Sequence, residues 1–277
     1  MKFTKMQGAG NDYVYINLFE EKVPDPVRTA IAVSNRNFGI GADGLILIAP
    51  SDKADAKMIM YNADGSMSEM CGNGVRCVAK YVYDHSISRK TTLDIETGAG
   101  IKRIELTIEN GAAVSAKVNM GKPFLAPAEI PVKAEKGPVI RNKLTALDRE
   151  FEFTAVGMGN PHCVIFVEDT EKFPVEKYGP VIENHPLFPR RTNVEFIQII
   201  SRDEVKQRTW ERGSGETLAC GTGASAVCVA GVLCGLTNRK ILNHLRGGDL
   251  VLEWATDDSP VFKTGPAVEV FNGEINI

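Results

Sequence analysis

Cys71 and Cys220 stand at the same place in two similar stretches of a 277-residue chain. The first runs Tyr61-Asn62-Ala63-Asp64-Gly65-Ser66 and on to Glu69-Met70-Cys71-Gly72-Asn73-Gly74. The second runs Trp210-Glu211-Arg212-Gly213-Ser214-Gly215 and on to Leu218-Ala219-Cys220-Gly221-Thr222-Gly223. A shift of 149 residues carries one onto the other, and without a gap it also carries Gly8-Ala9-Gly10-Asn11 onto Gly157-Met158-Gly159-Asn160. A repeat of this length marks a duplicated folding unit. An α-proton is very weakly acidic, so inversion at carbon needs a base on one face and an acid on the other. Two thiols brought to one cleft by a pseudo-two-fold axis, one ionised and one protonated, would supply both. That is the chemistry of a racemase or epimerase.

The elements that must position these thiols follow from the patterning. Apolar runs of strand length occur at Leu45-Ile46-Leu47-Ile48 and Met58-Ile59-Met60-Tyr61, and alternating ones at Thr92–Glu96, Ile104–Ile108 and Val114–Val118. Pro24–Val33 predicts a short helix, and a central helix is predicted from Gly72 through Tyr83. The second half repeats the order, with strands at Cys163–Val167, Val194–Ile200 and Lys206–Trp210 and a helix from Gly221. This second helix is apolar nearly all round and must therefore be enclosed. The expected fold is α+β: two pseudo-symmetric domains, each a curled, mostly antiparallel sheet around a central helix, with the active site in the interdomain cleft. Pro123, Pro127, Pro131 and Pro138 mark the crossover, so the domains are expected at 1–120 plus 266–277 and at 121–265. Each cysteine then sits at a helix N-terminus, where unpaired N–H groups and the dipole stabilise anions. The thiol pKa is expected to fall below its free value of about 8.5. The N–H groups of Gly72, Asn73, Gly221 and Thr222 are expected to hold a carboxylate.

Composition bounds the alternatives. With 43% hydrophobic and 24% charged residues the chain reads as ordinary globular protein. A net charge of −3 with no basic stripe argues against nucleic acid as a partner. No N-terminal apolar core or membrane-length run is present, so a cytoplasmic location away from membranes is expected. The six cysteines would then be reduced thiols. Cys77, Cys163, Cys228 and Cys234 lack the glycine context and read as core residues. Gly39-Ile40-Gly41-Ala42-Asp43-Gly44 fits a dinucleotide fingerprint by letter but lacks the preceding strand and following helix. A single-nucleophile hydrolase built on Cys71-Gly72-Asn73-Gly74 would need no second copy. No ligand spacing supports a metal site. A non-catalytic binding module would not need both thiols, although free cysteines are often simply buried.

At these motifs the chain strongly resembles diaminopimelate epimerases, a family that works without pyridoxal phosphate or other cofactor. The carrying stretches are Gly8–Asp12, Asn62–Ser66, Met70–Cys77, Gly159–Cys163, Glu211–Thr217 and Ala219–Gly223, in the family's order along nearly the whole chain. The resemblance implies conversion of LL-diaminopimelate to the meso form, a step toward lysine and peptidoglycan. It implies Cys71 and Cys220 as the acid/base pair and His162 and Glu211 as residues tuning their pKa values. It assigns Asn73 and Thr222, with Gly72 and Gly221, to the reacting carboxylate, with Asn11 close by. Asn62, Asn160, Asn193, Glu211 and Arg212 would hold the amino groups and distal carboxylate. Turn roles for Asn11 and Asn160, a surface role for Arg212 and a structural role for His162 are the competing readings. A homodimer is compatible with the resemblance, and the sequence leaves oligomeric state open. A proline racemase relative on the same duplicated fold is the nearest enzymatic rival; Glu211 and Arg212 favour a substrate with a second charged end. Many family members carry glutamine where this chain has Gly44, the repeat partner of Asn193.

Overall fold

The computed structural model describes residues 1–276. The chain divides into two compact units, Met1–Asn119 together with the segment from Thr264 on, and Met120–Lys263.

The first unit opens with β1 (Lys2–Gly8), β2 (Asn11–Asn17) and α1 (Pro26–Ser34). Asp25 caps α1 by accepting the Arg28 N–H at 3.0 Å, with Pro26 preset for the first turn. There follow β3 (Gly44–Ala49), β4 (Ala56–Asn62), β5 (Met67–Ser68), α2 (Gly74–Asp84), β6 (Thr92–Thr97), β7 (Gly100–Glu109) and β8 (Ala112–Asn119). β1 pairs antiparallel with β2, β2 parallel with β3, β3 antiparallel with β4 and β4 parallel with β6, and β6–β7–β8 form a meander. Every residue of β3 is buried, as a strand covered on both faces must be. Val75, Cys77, Val78, Ala79, Tyr81 and Val82 bury the inner face of α2. Phe3, Val14, Ile16, Leu45 and Leu47 pack with Ala30 and Val33 of α1 in a separate core layer.

The second unit contains β9 (Asn142–Ala146), β10 (Arg149–Gly157), β11 (Pro161–Phe166), α3 (Val175–Glu183), β12 (Asn193–Ser201), β13 (Glu204–Glu211), β14 (Gly215–Thr217), α4 (Gly221–Leu233), β15 (Lys240–Leu245) and β16 (Gly248–Glu253). Its pairings reproduce those of the first unit, with parallel β11–β12 and β13–β15 and antiparallel β10–β11, β12–β13 and β15–β16. Helix α4 is enclosed from Gly223 to Gly231. Phe151, Phe153, Phe173, Tyr178, Phe188 and Phe196 build the core beneath α3. The chain returns through β17 (Phe262–Pro266) to β18 (Val268–Glu274), which lies antiparallel to β1.

Three details differ from the sequence expectations. The second unit has two helices rather than one: α3 lies at the repeat position of α1, where Gly179 and the internal Pro180 hide a helical pattern. The hairpin β9–β10 follows the crossover, at residues left unassigned by patterning. Helix α2 begins at Gly74, two residues later than expected, so Gly72 and Asn73 form its lead-in. Among the described residues no helix is long and apolar enough to cross a membrane.

Candidate active site

Each cysteine terminates a turn that feeds a helix, and each sulfur accepts the backbone N–H three residues on. Gly74 N–H donates to Cys71 Sγ at 3.3 Å, and Gly223 N–H donates to Cys220 Sγ at 3.4 Å. These amides belong to the first turn of their helices and have no partner within the helix itself. The glycines are required by close approach. A Cβ at Gly74 would stand 2.7 Å from Ile46 Cδ1, and one at Gly223 would stand 2.3 Å from Glu195 Oε1. Ile46 and Glu195 are repeat partners, so the same strand position supports both helix starts, once with an apolar side chain and once with a carboxylate.

In the first unit Cys71 is half-buried. Its S–H donates to Asn11 Oδ1 at 3.1 Å. The orientation of that amide is determined by its other end, because Asn11 Nδ2 donates at 2.6 Å to Asp43, which can only accept. Asp43 is held in turn by Arg36 at 2.9 Å. The Tyr13 hydroxyl faces Asn11 and Cys71, and its pKa is raised, by burial first and then by the neighbouring Cys71 sulfur. Asn62 closes β4, where its Nδ2 donates to Ser66 Oγ at 2.9 Å. Asn73 is buried and its Oδ1 accepts from Arg76 at 2.9 Å.

Gly44 pairs with Asn62 across β3 and β4. A Cβ there would stand 2.2 Å from the Tyr61 carbonyl oxygen and 2.9 Å from the Tyr13 ring. Gly44→Gln is therefore expected to lower stability by about 1–3 kcal/mol, the usual cost of overpacking, rather than to restore a side-chain contact. Chemical denaturation compares the two proteins; an unchanged midpoint would show that the strands make room.

In the second unit the register brings the predicted residues side by side. His162 of β11 sits opposite Asn193 of β12, and Val194 opposite Trp210, which places Glu211 at the same end of β13. Asn193 is anchored twice, donating to the Pro161 carbonyl and accepting the Arg212 N–H, both at 2.9 Å. His162 is fully buried. Its Nδ1 contacts Glu195 at 2.8 Å and its Nε2 contacts Asn160 Oδ1 at 2.9 Å. The Glu195 carboxylate only accepts, so Nδ1 carries a hydrogen. Glu195 also takes hydrogen bonds from Gln207 Nε2 at 2.7 Å and Thr209 Oγ1 at 2.6 Å. The repeat partners of Glu195, Gln207 and Thr209 are Ile46, Met58 and Met60. A buried polar network thus lies under α4 where the first unit has hydrocarbon.

This network corrects one expectation. The Cys220 thiol lies well above the ordinary cysteine value rather than below it. Burial contributes most, followed by the negative charges of Glu211 and Glu195, and together they outweigh Thr222 and the Gly223 N–H. The Glu211 carboxyl is itself raised by burial. At neutral pH in the free protein, Cys220 is expected to stay protonated and to react slowly with iodoacetamide, with the rate climbing only in alkali. Glu211→Gln removes a repelling charge and should speed that alkylation several-fold at a given pH. Peptide mass spectrometry measures it, and a slower reaction in the variant would contradict the assigned sign. Cys77, Cys163 and Cys228 are buried, as core cysteines should be, whereas Cys234 is half-buried and bonded to Thr154 Oγ1 at 3.2 Å.

A pocket of about 420 Å³ in the second unit is lined by Gly159, Asn160, Arg190 and Arg212, among others. Arg212 Nη1 donates to the Arg190 carbonyl at 2.9 Å. Neither guanidinium has an ion-pair partner among the described residues, which leaves both charges available to an anion. The sequence pointed to Asn160 and Arg212 but not to Arg190, Glu195 or Tyr13. The repeat offset offered a signal for Tyr13, the partner of His162.

A duplicated unit with a central helix in each half is a fold that this chain shares with solved structures. The chain superposes on a PhzF-family phenazine biosynthesis protein from Bacillus anthracis with a TM-score of 0.71, covering 100% of this chain and 99% of that one at 16% identity. It superposes on a hydroxyproline epimerase from Agrobacterium vitis with a TM-score of 0.67, covering 99% and 91% at 16% identity. The chain belongs to the diaminopimelate epimerase family, which it matches over residues 3–125 and 154–270. It is 57% identical over 284 residues to the diaminopimelate epimerase of Agathobacter rectalis, covering 100% of both chains. It is 55% identical to that of Methanococcus maripaludis, again covering 100% of both, and 54% identical to that of Acetivibrio thermocellus, covering 100% and 99%.

Proposed function

We propose that this protein is an isomerase that epimerises LL-diaminopimelate to meso-diaminopimelate, with Cys71 and Cys220 acting from opposite faces of one α-carbon. The observation that carries the reading is the twinned geometry of a thiol at a helix start, sulfur bonded to the N–H three residues on, in a chain whose full length matches diaminopimelate epimerases. One sulfur removes the α-proton as thiolate while the other delivers a proton as thiol, and the reverse reaction exchanges the roles. Asn73 and Thr222, with the Gly72 and Gly221 amides, take the reacting carboxylate. Charge moves onto that group as the proton leaves, and helix-terminal donors stabilise it. Asn11 fixes the Cys71 side, and His162 and Glu211 tune the protonation of the thiols. Asn62, Asn160, Asn193, Glu211 and Arg212 hold the distal ammonium and carboxylate.

The uncompensated guanidinium of Arg212 supports a substrate with a second anionic end over proline, which lacks one. Six free thiols support a reducing, cytoplasmic setting. The exposed Val268, Val270 and Phe271 of β18 support a homodimer. An assay without pyridoxal phosphate over diaminopimelate, proline and simple α-amino acids tests the reading. Turnover is expected with diaminopimelate alone; racemisation of proline at a comparable rate would overturn it.

A further inference from the structure

Arg76 is fully buried, yet no carboxylate faces its guanidinium. Its Nε donates to the Pro266 carbonyl at 3.2 Å. Its Nη1 donates to the Gly72 carbonyl at 3.2 Å and to Asn73 Oδ1 at 2.9 Å. Nη2 has no hydrogen-bond partner among the described residues. That nitrogen lies against the β1–β2 turn, 3.0 Å from where a Cβ on Gly8 would be. One side chain therefore touches the turn that presents Asn11, the lead-in that presents Cys71, and the strand β17. Those first two segments meet in the Cys71–Asn11 hydrogen bond.

The second unit does this differently. The repeat partner of Arg76 is Ser225, whose hydroxyl donates at 3.0 Å to the carbonyl of Gly221, the repeat partner of Gly72. The tie from the first helical turn back to the glycine after the cysteine is thus kept, but only the first unit makes it with a charge. A buried cation lacking a counter-ion is strongly disfavoured. An anion forming nearby recovers part of that cost. Burial pushes the Arg76 pKa down, and a negative charge at Cys77, or after it at Cys71, would act on it in the favourable sense. Near Cys220 the fixed charges are Glu211 and Glu195, of opposite sign.

We propose that Arg76 is a positioning residue for the Cys71 half-site: it clamps the Gly8–Asn11 turn to the Gly72–Asn73 lead-in, and its unmatched charge favours the anion form of Cys71. The proposal rests on the reading of Cys71 as a catalytic thiol. Its test does not require diaminopimelate to be the substrate.

Alkylation by iodoacetamide reports the anion, since the thiolate displaces iodide to form the S–C bond. Arg76→Met keeps the hydrocarbon stem and removes the charge. It is expected to slow alkylation of Cys71 at neutral pH tenfold or more while leaving Cys220, in the same sample, within about twofold, a range set by the 1–3 pKa units one close charge contributes. Arg76→Lys should recover most of the Cys71 rate but not the kcat for epimerisation, because lysine cannot span three acceptors. Gly8→Ala, whose Cβ would press on Nη2, keeps the charge and disturbs the clamp. It should lower kcat more than it alters KM, with the Cys71 alkylation rate near that of the parent. These two variants keep the test available should Arg76→Met fail to fold, as judged by circular dichroism. An unchanged Cys71 rate in folded Arg76→Met, equal slowing at Cys71 and Cys220, or a slow Cys71 in Arg76→Lys would overturn the proposal. Selective slowing at Cys71 without any epimerisation of diaminopimelate by the parent enzyme would leave it standing and remove the substrate assignment.

Discussion

Cys71→Ala and Cys220→Ala are each expected to reduce epimerisation of diaminopimelate by about 10²–10⁴-fold or more, the contribution of one positioned acid or base. The two losses should not multiply. Once either sulfur is gone, removal and return of the proton can no longer occur on opposite faces, so the double variant should resemble the single ones. In deuterated water the parent should incorporate deuterium at one α-carbon of the product. Cys→Ser at one position separates the roles: a variant that keeps its thiolate on the abstracting face can still exchange a proton it cannot deliver to the other side. Substantial turnover by either alanine variant would remove the two-base mechanism. The folded state should be little changed in Cys71→Ala, since that sulfur is half-buried.

The second large effect is one of stability. Glu195→Ala is expected to lower the free energy of unfolding by about 3–5 kcal/mol, the cost of breaking a buried, paired charge. The carboxylate is fully buried and receives His162, Gln207 and Thr209, so its removal takes an acceptor from three donors, of which Gln207 Nε2 keeps Thr209 Oγ1, in an interior that cannot hydrate the others. Glu195→Gln keeps the volume and part of the bonding and should cost less. Its amide can present a hydrogen to His162 Nδ1 where the carboxylate only accepted. Chemical denaturation measures both, and a loss below about 1 kcal/mol in Glu195→Ala would show that the network relaxes around the gap.

How much of this was legible before folding depended on the kind of signal. The duplication, the two cysteines, the glycine turns and the alternating strands were written in local pattern, and the register of β11, β12 and β13 assembles Asn160, His162, Asn193 and Glu211 as neighbours. Glu195 was not legible as a site residue because it sits in Val194-Glu195-Phe196-Ile197, where one charge in an apolar run looks like the exposed face of a strand. Both faces of this strand are in fact covered, and only tertiary packing says so. Arg76 was obscured for the matching reason: a charge between Val75 and Cys77 in a helix normally reaches water, and here it is enclosed. Helix α3 was hidden by Gly179 and Pro180, yet the repeat offset carries α1 onto it residue for residue. The lowered thiol pKa expected at Cys220 failed because the dipole of one helix end is a weaker influence than burial beside two carboxylates.

The pairing of β18 with β1 has a consequence for how the polypeptide is made. Lys2 pairs with Glu274 and Thr4 with Asn272, the Phe3 and Phe271 rings stack edge to face at 5.9 Å, and the amino terminus bonds the Ile275 carbonyl. The ribosome therefore delivers β1 before the whole of the second unit and β18 only after it. The half synthesised first must wait, its β1 flank open, while the contiguous second half can finish during elongation. Vectorial synthesis usually lets the leading domain mature first; here the order is inverted. A nascent chain stalled just short of Val268 would carry a finished trailing half and an unfinished leading one.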